Sequence, residues 1–266
     1  MKQTKTWGRW LLAALALGAV VAPAASAAEH SLPEVGRCVK VATGTGAYTG
    51  AACLSAAAPG RGKYEWMPVT QTEKQTFTGS GSSPVVPTAG HSSLKCVVAN
   101  ITGEYTGAKT AIVEMEFQAC TNSAGHQCQT TPAKVSEITT GPLEAQLGFI
   151  KNQEKSVSVG LDLKPKAPLP ALATYECGSL TETARIEGSV IAQIKPFDKM
   201  TTVSDLVFRA TRAGMQMPES FEGGVSDTLK TTFMSGLEST SGPSTLAMSE
   251  ETGSNTNALE IKAKGP

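Results

Sequence analysis

The stretch that decides the fold is Ala111-Ile112-Val113-Glu114-Met115-Glu116-Phe117-Gln118-Ala119-Cys120. In it Val113, Met115 and Phe117 alternate with Glu114, Glu116 and Gln118. A strand turns successive side chains to opposite faces, so this run has one apolar and one polar face. The same period recurs in Leu143, Ala145, Leu147 and Phe149, and again in Val157, Val159, Leu161 and Leu163. Ile186, Gly188, Val190, Ala192 and Ile194 read as one face of a single further strand. Leu206, Phe208 and Ala210 continue the series, followed by Leu229, Thr231 and Phe233. Turn-forming clusters separate these runs, among them Gly79-Ser80-Gly81-Ser82-Ser83-Pro84, Lys164-Pro165-Lys166-Ala167-Pro168 and Gly242-Pro243. Short alternating runs without helical periodicity predict an all-β fold, an antiparallel β-sandwich or barrel stapled by disulfides.

The 266 residues carry 23 Lys+Arg and 23 Asp+Glu, and only 17% of them are charged and 5% aromatic. That balance excludes a coiled coil, a disordered polyelectrolyte and a strongly basic nucleic-acid binder. Residues 1–27 read as a cleavable signal peptide. Lys2, Lys5 and Arg9 precede the uncharged run Leu11 to Val21, and Ala25-Ser26-Ala27 supplies the small residues of a cleavage site. The run is shorter than the roughly 20 apolar residues of a membrane span. Its removal takes three bases and no acid, leaving 20 Lys+Arg against 23 Asp+Glu, a net charge of −3. The product is expected to be secreted, extracellular or associated with the cell envelope. Neither a nucleic-acid partner nor membrane insertion is expected of it.

All six cysteines (Cys38, Cys53, Cys96, Cys120, Cys128 and Cys177) lie beyond the leader. An even count in an exported chain predicts three disulfides. Proximity in sequence favours Cys38–Cys53 around a Gly-rich loop and Cys120–Cys128 at a hairpin end. Cys96–Cys177 is then the long-range staple. Zinc is disfavoured, because there is no C-x-x-C pair and neither His91 nor His126 has ligand-like spacing. Residues 28–70 are expected to form a small Gly-rich disulfide module, and residues 71–266 the main β-domain.

No G-x-S-x-G, Walker, EF-hand or Rossmann pattern is present, so no catalytic residue and no cofactor is assigned. Tyr64 and Trp66, two apart, share a strand face and are the candidate ligand-binding pair, a stacking surface for a carbohydrate. Against that stands core packing of the one Trp outside the leader. Glu114 and Glu116 sit ~7 Å apart on one strand face, a spacing shared by glycosidase pairs and by any solvent-facing strand. Met215 and Met217 read as core residues at a strand end rather than as Cu(I) thioethers. Cleavage after Ala27 would start the product Ala28-Glu29-His30. The amine of Ala28, two backbone amides and the imidazole of His30 then offer Cu(II) or Ni(II) a square of nitrogens. Thr45-Gly46-Ala47-Tyr48-Thr49-Gly50 and Thr102-Gly103-Glu104-Tyr105-Thr106-Gly107 match at five of six positions. They read as a recurrent Gly-flanked turn with a packing Tyr.

Gly36-Arg37-Cys38-Val39-Lys40-Val41, Tyr64-Glu65-Trp66, Phe77-Thr78-Gly79-Ser80-Gly81 and Gly103-Glu104-Tyr105-Thr106-Gly107 form a recognisable set. Gly141-Pro142-Leu143-Glu144, Gly188-Ser189-Val190-Ile191 and Pro218-Glu219-Ser220-Phe221-Glu222-Gly223 belong to it too. Together they resemble a group of uncharacterised secreted proteins of soil actinobacteria. The resemblance implies export from a bacterial cell and brings no activity, ligand or catalytic residue. The function expected is that of a non-enzymatic extracellular or envelope β-protein, acting by surface binding or as a structural component. The alternative is a carbohydrate-binding or glycan-acting protein, with a glycan or cell-wall partner.

Overall fold

The computed structural model describes residues 32–82, 84–86, 93–178, 182–211, 215–218, 220–224, 226–248 and 251–265. The leader, Ala28, His30 and His91 lie outside the described residues. Twenty strands and no helix are found among the described residues, and they are numbered β1 to β20 in chain order. Eight form a closed wall: β3 (Thr76–Ser82), β6 (Val98–Tyr105), β7 (Thr110–Gln118), β10 (Leu143–Gln153), β11 (Ser156–Pro165), β14 (Val190–Lys195), β15 (Thr201–Val207) and β20 (Glu251–Lys262). Each pairs antiparallel with the next, and β20 pairs with both β15 and β3, so the wall closes into a barrel. β1 (Glu34–Lys40) and β2 (Tyr64–Pro68) extend the wall beyond β20, and β9 (Glu137–Thr139) adds to β7. A second antiparallel sheet runs in the order β19 (Glu238–Ser244), β18 (Leu229–Ser235), β13 (Glu182–Gly188), β12 (Ala173–Cys177), β8 (Cys128–Gln129). Two short ladders complete the set, β4 (Val85–Val86) with β5 (Leu94–Lys95) and β16 (Arg209–Ala210) with β17 (Gln216–Met217).

The all-β expectation is met, as a barrel with an added sheet. At eight strands the interior is just wide enough for side chains to fill it. Phe77, Ile101, Val113, Leu147, Leu161, Ile194 and Leu206 are buried there. The void they leave is about 30 Å³, room for about one water. Thr76, Thr78, Thr102, Glu114 and Lys195 face outward and are exposed. A barrel that spans a membrane has the inverse pattern, with an apolar band facing lipid. The inner face of the second sheet (Ala173, Ile186, Leu229 and Phe233) packs on the barrel side chains Met115 and Phe117 and on Ile138 of β9. A second apolar void of about 30 Å³ lies at that seam. Each large side chain buried in these two layers contributes about 1.5–3 kcal/mol.

Four expectations are corrected. The run from Ile186 to Ile194 is two strands, not one. Gly188, at φ +98°, ends β13 in the second sheet, and β14 enters the barrel after Ser189. A Cβ there would stand 2.2 Å from the Thr228 carbonyl oxygen, so only glycine fits the crossing. Nor does the chain divide near residue 70. Residues 31–266 form one compact unit, with β1 and β2 paired into the barrel's sheet.

The disulfides are Cys38–Cys53, as expected, but then Cys96–Cys120 and Cys128–Cys177. The backbones of Cys120 and Cys128 do adjoin, with the Cys128 amide donating to the Cys120 carbonyl at 2.9 Å. Their sulfurs turn to different strands. Cys128 stands directly opposite Cys177 across the β8–β12 pair, and the bridged pair Lys95–Thr121 brings Cys96 to Cys120. Met215 and Met217 are exposed, at 37% and 44%, and the residue between them is the buried one. The Gln216 amide fills its own needs there, accepting from the Leu246 amide and donating to the Arg209 and Leu246 carbonyls.

Candidate functional site

The structure places Tyr64 and Trp66 at the junction of β1, β2 and β20, under the lobe closed by Cys38–Cys53. Trp66 is only 8% exposed, and its indole Nε1 donates to Glu34 Oε1 at 2.5 Å. Tyr64 pairs through its backbone with Tyr48 of the lobe. Lys262, from the last strand, donates to the Tyr48 hydroxyl at 2.8 Å. Its ammonium also lies 4.2 Å from the Tyr48 ring centre and 5.1 Å from that of Trp66. A buried ammonium held on two ring faces is an internal clasp. Trp66 thus packs as a core residue, the reading set against a sugar platform, and with Tyr48 and Lys262 it fastens the lobe to the barrel. The two matching hexamers also part company: Tyr48 belongs to this clasp, whereas Tyr105 packs inside the barrel 5.0 Å from the Phe77 ring. Burial pushes the Tyr105 phenol well above its ordinary value.

Two carboxylates have raised pKa values. Glu260, almost fully buried beside the clasp, is raised to about 7, first by burial and then by the charge of Asp198, with Lys262 opposing. Asp198 accepts from the Ala263 and Lys264 amides through Oδ1 and so grips the end of β20. On the barrel's outer wall, burial and the charge of Asp227 raise Asp162 to about 6, with Lys164 opposing. Ser189 donates to Asp227 at 2.6 Å. Groups titrating near neutrality can move protons. Glu260, however, is only 1% exposed to solvent. Among the described residues no group of three or more His, Cys, Asp or Glu is arranged to hold a metal. Glu114 and Glu116 lie on the barrel's outer wall, Glu114 exposed and Glu116 bonded to the Gln118 amide.

A roomier concavity opens between β9 and β12, where the barrel meets the second sheet. Its volume is about 440 Å³, and Thr130, Thr131, Thr139, Thr140, Thr174 and Thr183 line it with Glu176 and Leu169. The Thr130 hydroxyl crosses its floor, donating to the Thr174 carbonyl at 3.0 Å and accepting from the Thr139 amide at 3.3 Å. Thr131 donates to Glu176 Oε1 at 2.8 Å. The Gly141 amide donates to the Leu172 carbonyl at 3.1 Å and ties the two sides together. Sequence reasoning missed this groove. Its threonines come from four separate segments and look like any other strand threonines until the topology brings them together.

Comparison of the chain with protein-family profiles, with curated proteins and with solved structures found no match.

Proposed function

We propose that the chain is an exported, non-enzymatic β-protein that acts outside the cell or at its envelope, by surface binding or as a structural component. The observation that carries this reading is the filled barrel. An interior void of about 30 Å³ leaves no chamber for a ligand, while a concavity of about 440 Å³ lies on the outside. Three disulfides suit an oxidising compartment and agree with the leader read in residues 1–27. No helix of the described residues is long and apolar enough to cross a membrane.

The test is sedimentation of the oxidised protein with insoluble peptidoglycan, chitin and cellulose, run beside chromogenic ester, glycoside and phosphoester substrates. Cosedimentation without turnover is expected. Turnover that disappears in Glu114→Gln or Asp162→Asn would overturn the reading.

A further inference from the structure

Among the described residues, the groove between β9 and β12 has one charged side chain, Glu176, and two exposed apolar side chains, Leu169 and Pro170, among its threonines. We propose that this groove binds a segment of a neutral glycan. Sugar hydroxyls bond to the threonine hydroxyls and to the Glu176 carboxylate, and sugar C–H faces rest on threonine methyls and Leu169. The proposal rests on the reading that the protein binds through its outer surface, and it names the place and the ligand class.

The chemistry follows from the lining. A threonine hydroxyl both donates and accepts, and a methyl stands on the same carbon. A sugar ring likewise mixes hydroxyls with C–H surface. The β-branched side chain is stiff, so ordering it on binding loses little rotamer entropy. A carboxylate only accepts, which suits a ligand rich in hydroxyl donors. Among the described residues no Lys or Arg lines the groove, and Glu176 repels anions, so phosphate-bearing and uronate polymers are disfavoured. The volume of about 440 Å³ falls within the range of small-molecule sites.

The walls are fixed before any ligand arrives. Thr130 crosses from β9 to β12, and Thr131 is set against Glu176. The Cys128–Cys177 bridge pins β8 to β12 one residue from Glu176. Such preorganisation lowers the ordering cost of binding.

The experiment is a titration of the oxidised, threonine-methyl-labelled protein, followed by NMR. The probes are the neutral chitohexaose and maltohexaose, with polygalacturonate as the anionic control. At least one neutral probe is expected to shift the methyls of Thr131, Thr139, Thr174 and Thr183, and polygalacturonate is not. Thr174→Val and Glu176→Gln should each weaken that binding roughly tenfold. Thr76→Val, on the barrel wall, should leave it unchanged. The absence of groove shifts with every neutral probe overturns the proposal, and so does unchanged affinity in both groove variants. If the protein still sediments with an insoluble glycan in either case, surface binding stands and only the assignment to this groove falls.

Discussion

The pairing of Cys96 with Cys120 can be tested by thermodynamics as well as by peptide mapping. The double variant Cys96→Ala/Cys120→Ala opens one bridge if the two are bonded to each other. That bridge spans 24 residues. The loop-entropy relation assigns it about 3.5 kcal/mol at 25 °C. Under the neighbour pairing, the same double variant would open two bridges. Cys120–Cys128 would close a loop of 8 residues and Cys96–Cys177 one of 81. The relation gives these about 2.5 and 4.5 kcal/mol, or about 7 in all. The two pairings thus differ by about a factor of two in one measurement, well outside the error of a urea titration. The assay is equilibrium unfolding of the double variant against the parent, both fully oxidised, with the m-value checked for constancy. A loss near 7 kcal/mol, or a non-reduced peptide joining Cys120 to Cys128, would refute the register argument that sets Cys128 against Cys177.

Further outcomes follow from single side chains. Trp66→Phe removes the indole donor from the buried Glu34 carboxylate, so chemical denaturation should show a loss of about 2 kcal/mol. Gly148→Val places a Cβ 2.4 Å from both Phe221 Cζ and Glu222 Oε1. It should expel that loop from the β10 wall, cost about 1–3 kcal/mol and open the chain to proteolysis between Phe221 and Gly224. Glu260 has a folded pKa of about 7, above the ordinary glutamate value of 4.5, so the native state holds the proton more tightly. Its contribution is therefore full below about pH 4.5, falls as pH rises through about 7, and is flat beyond. A melting-temperature series across that window should show the fall in the parent and a flatter profile in Glu260→Gln. Equal slopes in the two proteins would contradict it.

The strands of the barrel were legible because each has one wet face and one dry face. Val113, Met115 and Phe117 alternate with polar partners because β7 separates solvent from a filled interior, and β10 and β11 read the same way. Legibility failed where local pattern and partner choice come apart. The apolar face from Ile186 to Ile194 is continuous in sequence, yet it serves two sheets that share one core, because the chain changes sheets at Gly188 with no break in the alternation. Met215 and Met217 followed the usual apolar rule in the reading, but the amide of Gln216 satisfies three backbone groups and takes the buried place. Core packing of Trp66, set against the sugar platform in the reading of the sequence, is what the structure shows. Lys262, which joins it to Tyr48, lies 196 residues after it, and Tyr48 lies 18 before it; no periodicity reports such a meeting. The groove threonines were invisible for the same reason.

The disulfide pattern also bears on how the barrel closes. The three bridges enclose consecutive, non-overlapping loops at 38–53, 96–120 and 128–177. None crosses the seam where β20 meets β15 and β3, which joins residues 76–82 and 201–206 to the end of the chain. That seam is held by backbone pairing, by the buried Leu259 and Ile261, and by side-chain links such as Thr76 to Thr256 at 2.7 Å. Its loop-closure entropy must be overcome by contacts far apart in sequence, the slow class of folding event. The bridges have no such dependence on the C-terminal strand, so each can form from a partly emerged chain, in order from the N-terminus. The long-range staple expected from Cys96–Cys177 would have enclosed the Cys120–Cys128 loop and tied the core before the last strands existed. The observed arrangement does the opposite. It fixes the lobe, the β5–β7 corner and the β8–β12 wall of the groove locally. Closure is left to β20, whose Lys262 then completes the clasp with Tyr48 and Trp66.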